Sequence, residues 1–122
     1  MTSLDISKVS SQAKLKVNNE TTRKSNEFLE KGKEFLTEKN YNEAIKAFSN
    51  ALKINNMNYE AMFYRAITYL DTGNPTQTIK GLTFVIENVP NFKNTIYLVL
   101  SIAYMRTKDI FSALKVLTKA IK

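Results

Sequence analysis

The sequence predicts an all-α protein made of three consecutive helix pairs. A pattern of apolar and small residues recurs at intervals of 34 and 35 residues from residue 25 onward, and inside each interval these residues follow helical spacing. The chain of 122 residues also contains only 3 Gly and 2 Pro, which is few for the many turns of an all-β fold. This length is that of one domain.

Residues 1–24 precede the repeats, and we expect them to form a flexible basic arm. They carry five bases and two acids. The apolar residues of the arm are too scattered to predict a helix: they are Leu4, Ile6, Val9, Leu15 and Val17. A basic, Ser/Thr-rich start weakly suggests import into an organelle, and Asp5 and Glu20 count against it. We therefore expect a cytoplasmic or other reducing intracellular compartment.

Six columns of equivalent residues run through three repeats, which we assign to residues 25–58, 59–92 and 94–122. The columns are Phe28/Met62/Tyr97, Gly32/Ala66/Ser101, Phe35/Tyr69/Tyr104, Ala44/Thr78/Ala113, Phe48/Leu82/Leu117 and Ala51/Val85/Ala120. The small members allow two helices to approach closely, and the aromatic members fill the space between them.

Signals for turns separate the two helices of each repeat. Asn40 and Glu43 have the spacing of a capping box, in which each side chain bonds a free amide at the helix start. Gly73 predicts a left-handed helix stop in the second repeat, and Asp109 occupies the capping position of the third. Pro90 predicts the end of the second repeat, because a helix cannot continue through it.

These columns resemble the tetratricopeptide repeat (TPR), a helix–turn–helix of 34 residues. The residues that carry the resemblance are Gly32, Ala44, Phe48 and Ala51 in the first repeat, Tyr69, Gly73 and Pro90 in the second, and Ala103, Tyr104, Ala113 and Ala120 in the third. The resemblance implies a helical-repeat solenoid, an α–α superhelix in which the first helices of the pairs line a concave groove that binds a peptide or a helix.

Positions in the repeat imply which residues face that groove. The predicted partner-binding groove consists of Leu29, Lys33, Phe63, Tyr64, Ile67, Leu98, Val99 and Ile102. Its middle is apolar and aromatic, so we expect it to receive an apolar helix or peptide face. The alternative is that some of these side chains pack between adjacent repeats or beneath the arm.

The resemblance also permits a negative test for one kind of partner. TPR domains that hold the C-terminal carboxylate of heat-shock chaperones use a clamp of Lys, Asn and Arg side chains. The equivalent positions here hold Leu29, Lys33, Tyr64, Thr95 and Val99. Only Lys33 offers a cation, whereas a carboxylate needs several convergent donors. A co-chaperone role of this kind is therefore disfavoured.

The last predicted helix has a wide apolar side. Ile110, Leu114 and Ile121 occupy positions that normally face a following repeat, and Lys115 and Lys119 lie along another side. We call the first three residues the C-terminal docking face and expect it to dock onto another subunit, either a second copy or a different protein. The alternatives are that these side chains fold down locally or that the chain is one piece of a longer product.

Composition excludes most enzymatic chemistry. The chain has no Cys and no His, which removes thiol catalysis, imidazole acid–base schemes and Cys/His zinc sites. The acidic residues of the first repeat alternate with lysines at helical spacing, which is typical of a solvated helix face. We expect a non-catalytic protein without a cofactor or a bound metal, and no apolar run is long enough to span a membrane.

An RNA-binding function is the alternative to an adaptor. The net charge is +7, and the Pro90–Asn91 and Ala103–Tyr104 strings are similar to the pentatricopeptide repeat, which reads single-stranded RNA. The groove, however, lacks polar base-reading pairs. The sequence therefore favours a protein–protein adaptor or a structural subunit of a larger assembly. Because both ends are basic, we expect an acidic protein surface as its partner. The apolar groove makes an apolar helix the other expected partner.

Overall fold

The structure is a computed structural model that describes the backbone of residues 3–121 and the side chains of residues 18–121. Its elements are α1 (Ser3–Thr37), α2 (Tyr41–Ile54), α3 (Tyr59–Asp71), α4 (Pro75–Asn88), α5 (Thr95–Arg106) and α6 (Ile110–Ile121). All elements of the described chain are helices, so the predicted all-α fold is confirmed.

The helices pack as three successive pairs that curve in one direction. Each helix contacts its neighbour in the chain, and α3 additionally contacts both α1 and α5. Across the described residues, α2, α4 and α6 do not touch one another. The first helices of the pairs are therefore close together on one side of the layer, which we call the inner face, and the second helices diverge on the other side.

The core consists of two clusters, one for each junction between pairs. Phe48 fills the first cluster with Leu29, Ala44 and Ala61 around it, and Leu82 belongs to the second. The fully buried residues come largely from the repeat columns identified in the sequence. This agreement follows from helical periodicity, since a residue every three or four positions returns to the same side of a helix.

Three identical turns end α1, α3 and α5. In the first, the amide of Asn40 donates to the carbonyl of Phe35 at 2.8 Å, and the amide of Lys39 donates to Leu36 at 2.9 Å. This is the Schellman pattern, which requires a left-handed residue after the helix. Gly73 has that conformation, as predicted, with φ of 86°. Lys39 and Lys108 have it as well, with φ of 60° and 66°.

Helix capping differs from the sequence prediction in the first repeat. Asn40 does precede α2, but its side chain makes no capping hydrogen bond, and Glu43 instead pairs with Lys46 at 3.4 Å. The predicted capping box is therefore wrong. Asp109 does cap α6, since its carboxylate accepts from the hydroxyl of Ser112 at 2.7 Å and from its amide at 3.1 Å. These two hydrogen bonds lower the pKa of the Asp109 carboxyl.

The first helix extends through the segment that the sequence assigned to the arm. The apolar pattern did not predict this helix. Of the arm's side chains that the structure describes, those of residues 18–24, none is buried. Arg23 and Lys24 form ion pairs with glutamates three or four positions away, and such pairs support a helix from its own surface. The flexibility of the arm stays a prediction.

A buried polar junction joins the first three helices. The side-chain amide of Asn58 donates to the hydroxyl of Ser25 at 2.8 Å and to the side-chain oxygen Oδ1 of Asn26 at 3.1 Å. The Ser25 hydroxyl donates to the backbone carbonyl of Ala51 at 2.7 Å. The side-chain oxygen Oδ1 of Asn58 accepts from the backbone amide of Ala61 and so caps α3. This network fixes the second pair against the first.

Candidate functional site

The inner face is the candidate binding surface, because all eight predicted groove residues lie on its three helices. They come from α1, α3 and α5, and successive first helices touch each other there. The surface is therefore continuous from the first pair to the third. Its chemistry depends on which of the predicted side chains reach solvent.

Two predicted groove residues are buried. Leu29 and Phe63 are each only 5% exposed. Leu29 packs in the first core cluster, and Phe63 packs in the second, with its ring centroid 5.4 Å from that of Phe92. Both side chains thus hold adjacent repeats together, and they lie beneath the inner face.

Two lysines lie beside one tyrosine at the centre of the inner face. The Lys33 ammonium lies 4.9 Å from the centroid of the Tyr64 ring, and the Lys93 ammonium lies 5.5 Å from it. Lys93 is also 3.1 Å from a carboxylate oxygen of Glu60. We call Lys33, Tyr64 and Lys93 the cationic cluster. The electron-rich ring face attracts both ammonium groups and holds them at the surface.

Helix α5 carries an exposed apolar stripe. Leu98, Ile102 and Met105 are 47%, 39% and 46% exposed, and their spacing places them on one side of the helix. Val99 and Ile67 are half-buried. The exposed apolar part of the groove is therefore in the third pair, whereas the sequence had predicted it across the second and third.

Sequence reasoning missed two residues of this surface. Met105 lies seven residues after Leu98, so helical spacing alone could have added it to the stripe. Lys93 lies between α4 and α5, where periodicity carries no information, and only the folded chain brings it to Tyr64. Arg106 is a further cation near the groove. Its guanidinium donates to the backbone carbonyl of Leu70 at 3.0 Å and so caps the C-terminal end of α3.

The arrangement suits a ligand that is acidic at one point and apolar at another. Both ammonium groups of the cationic cluster also pair with glutamates, Lys33 with Glu30 at 3.4 Å and Lys93 with Glu60 at 3.1 Å. An acidic group of a ligand would therefore exchange with these surface pairs, and the stripe on the same face offers hydrocarbon surface. At the positions of the chaperone clamp, Leu29 is buried, Thr95 is exposed and Val99 is half-buried. Lys33 is the one cation among these five positions.

The C-terminal docking face is exposed. Ile110, Leu114 and Ile121 are 55%, 59% and 83% exposed, and the neighbouring Phe111 is 79% exposed. Exposed apolar side chains grouped in this way are typical of an interaction surface.

Other kinds of site receive no support from the described residues. Among the side chains of residues 18–121, no group of three or more acidic residues is arranged to hold a metal ion. None of the described helices combines the length and the apolar composition needed to cross a membrane.

No protein-family model matches this chain, and neither does any curated protein. Solved structures do match it. The second TPR domain of Spaghetti (RPAP3), bound to the HSP90 peptide SRMEEVD, has a TM-score of 0.78 at 16% identity, over 84% of this chain and 94% of that one.

Two further structures have the same architecture. The TPR domain of Sgt2 from Aspergillus fumigatus has a TM-score of 0.75 at 21% identity, over 80% of this chain and 64% of that one. The thermophilic TPR protein TTC0263 of Thermus thermophilus has a TM-score of 0.71 at 25% identity, over 79% and 55%. Agreement at this level of identity establishes the fold.

Proposed function

We propose, from the premise that this chain is a helical-repeat solenoid of three tetratricopeptide repeats, that it is a non-catalytic protein–protein interaction adaptor or an assembly subunit. Its partner binds as a peptide or a helix on the inner face, and a second contact uses the C-terminal docking face. The observation that carries the proposal is the exposed stripe of Leu98, Ile102 and Met105 on the inner face, which also carries the cationic cluster.

The apolar stripe and the cationic cluster have different roles in recognition. Burial of two or three apolar side chains of the partner against the stripe supplies most of the affinity, at about 25 cal/mol per Å² of apolar surface. An acidic side chain near Tyr64 fixes the register of the bound peptide, because charge complementarity contributes more to specificity than to affinity. Structures of similar fold support this proposal, since one of them was solved with a bound peptide.

The type of acidic ligand is expected to differ from that of the chaperone-binding domains. Because the clamp positions hold Leu29, Thr95 and Val99, the free carboxylate at the end of a peptide has no set of convergent donors. We expect the peptide SRMEEVD, which the Spaghetti domain binds, to bind this chain weakly and with no dependence on its terminal carboxylate. A tenfold or larger loss on amidation of that peptide, roughly 1.4 kcal/mol, would contradict this expectation.

A display selection of random peptides against the full chain tests the proposal. We expect selected peptides to combine an acidic residue with apolar residues, and Ile102→Glu to weaken them roughly tenfold or more, as truncation of a binding hot spot does. Phe84→Glu is the matched control, because Phe84 is a similarly exposed apolar residue of α4, away from the inner face. Equal losses in both variants, or no loss in Ile102→Glu, would refute binding at the inner face.

The RNA-binding alternative gains nothing from the geometry of the described residues. The exposed part of the inner face is apolar along α5, and only two ammonium groups flank its centre. Single-stranded RNA binding would require affinity that falls steeply with salt. We expect no retardation of an oligonucleotide in low salt.

A further inference from the structure

A hollow of about 320 Å³ lies between α3 and α4, outside the inner face. Its lining comes from two turns of each helix, within residues 62–69 and 77–84, and we call it the outer cleft. It lies on the side of the second pair that faces α2, because Arg65 in its wall donates to the hydroxyl of Ser49 on α2 at 3.2 Å. The volume is in the range of pockets that hold small molecules, about 300–1,000 Å³.

The lining of the outer cleft contains two cations, Arg65 and Lys80, and no acid. Arg65 is half-buried and Lys80 is exposed. Neither forms an ion pair with any side chain of the described residues. Ser49 engages one of the five N–H donors of the guanidinium and so orients the group. The wall therefore presents a positioned guanidinium, whose planar set of donors matches an oxyanion.

Apolar side chains form most of the remaining lining. Met62, Ala66 and Phe84 line the cleft, and Phe84 is 46% exposed. The phenol of Tyr69 and the amide of Gln77 add two groups that can form hydrogen bonds. An apolar lining with a few polar groups is the usual composition of a small-molecule site.

Gly81 keeps the outer cleft open. Glycine inside a helix costs about 1 kcal/mol relative to alanine. A Cβ atom built at Gly81 would meet the Cβ of Ala66 at 3.4 Å and the carbonyl oxygen of Met62 at 3.9 Å, which are ordinary contacts. Packing of α4 against α3 therefore does not require a glycine here. Because Met62 and Ala66 both line the cleft, a larger side chain at position 81 would occupy it.

The equivalent cleft of the third pair lacks these features. It lies 35 residues further along the chain and has a volume of about 170 Å³. Val116 takes the position of Gly81 there, and Leu100 takes that of Arg65. Its charged lining residues are one acid and one base. The larger volume and the purely positive charge are therefore particular to the second pair, and the repeat folds without them.

We infer that the outer cleft binds a small organic anion with an apolar or aromatic group. A carboxylate or phosphate of the ligand pairs with Arg65 and Lys80, and its apolar group packs against Met62 and Phe84. At 1.5 Å per residue, the lining turns give the cleft a length of roughly 10 Å. This length suits one small molecule and would hold only about three residues of an extended peptide. The inference does not rest on the adaptor function proposed above, since the cleft is separate from the inner face.

Four probes test the inference by NMR amide shifts of the full chain: 3-phenylpropionate, phenyl phosphate, 3-phenylpropionamide and acetate. We expect one or both aromatic anions to shift amides within residues 77–84, and their relative affinities distinguish a carboxylate ligand from a phosphate ligand. The uncharged amide should bind at least roughly tenfold more weakly, because it forms no charge-assisted hydrogen bonds. Acetate should also bind more weakly, because it lacks the apolar group.

Variants locate the site. Arg65→Leu and Gly81→Val should each weaken binding of the aromatic anions roughly tenfold or more. Both should remain folded by circular dichroism, because the third pair carries Leu and Val at the equivalent positions. Lys119→Gln in the cleft of the third pair is the matched control and should leave binding unchanged. Ile102→Glu should also leave it unchanged, so that failure here is distinct from failure of the inner-face proposal.

Three results would overturn the inference. The first is equal binding of 3-phenylpropionate and 3-phenylpropionamide, which would show that the cations do not contribute. The second is undiminished binding in folded Gly81→Val. The third is the absence of amide shifts with both aromatic anions at roughly 10 mM, a concentration that would nearly saturate a site with a Kd of about 1 mM.

Discussion

Two glycines in helix interiors should respond to alanine in opposite directions. Gly32 lies in α1 and Gly81 in α4. A Cβ atom built at Gly32 overlaps the ring of Phe48, with Cζ only 2.7 Å away. A Cβ atom at Gly81 makes an ordinary contact of 3.4 Å with the Cβ of Ala66. Each substitution gains about 1 kcal/mol of helix propensity, so the difference between them reports the space around each glycine.

The expected magnitudes follow from the surroundings. Gly81→Ala should stabilise the protein by about 0.5–1 kcal/mol. Gly32→Ala should destabilise it by up to about 2 kcal/mol, because Phe48 is fully buried, overpacking costs about 1–3 kcal/mol, and the propensity gain of about 1 kcal/mol offsets part of that cost. If the ring is expelled, the cost approaches the roughly 3–5 kcal/mol of a Phe→Ala change.

Urea unfolding followed by circular dichroism at 222 nm measures both changes. Thermal unfolding provides a second readout, in which 1 kcal/mol corresponds to a shift of about 4 °C for a chain of this length. A Gly32→Ala variant stabilised as much as Gly81→Ala would refute the close approach of α1 and α2. A similar loss in Gly81→Ala would show that the effect does not depend on the Phe48 contact.

Two further predictions concern the turns and the buried junction. Lys39→Gly and Lys108→Gly should each stabilise the protein by about 1 kcal/mol, because glycine has no penalty in the left-handed conformation. As a control, Lys46→Gly inside α2 should destabilise the protein by a similar amount. A loss of stability in the Lys39→Gly variant, measured by urea unfolding, would contradict the left-handed turn. Asn58→Ala should cost about 2–3 kcal/mol, since it removes a helix cap and leaves a buried hydroxyl without its donor. In a double-mutant cycle with Ser25→Ala, the two losses should be clearly less than additive, and full additivity would count against the network.

Periodicity in the sequence predicted the helix pairs because the responsible forces act locally. Gly73 indicated its turn through its residue type, and Pro90 indicated the end of a helix. The equivalent turns at Lys39 and Lys108 carry no such signal, and the folded neighbours impose the left-handed backbone there. The capping box at Asn40 failed for a related reason, because a nearby lysine competes for Glu43.

The candidate site was only partly predictable. Repeat position placed Phe63 and Leu98 in equivalent slots, yet one is buried and the other is 47% exposed. Leu29, in the same slot of α1, is buried as well, so the difference arises mainly because a following first helix contacts α1 and α3, whereas none of the described helices contacts that side of α5. At Phe63, Phe92 from the connection between α4 and α5 adds a further contact. The connecting segment has no period from which its path could be predicted, so neither this contact nor the position of Lys93 follows from the pattern.

The sequence by itself determined the helical class, the three repeats and the pairing of small with aromatic side chains inside each helix pair. These features follow from the spacing of residue types along the chain, which the sequence shows directly. Only the tertiary structure decided which inner-face side chains reach solvent, which lysines gather around Tyr64, and how far the apolar side chains of α6 are exposed. Burial at those places depends on atoms from other repeats, roughly 30 residues or more away along the chain in a solenoid of this type.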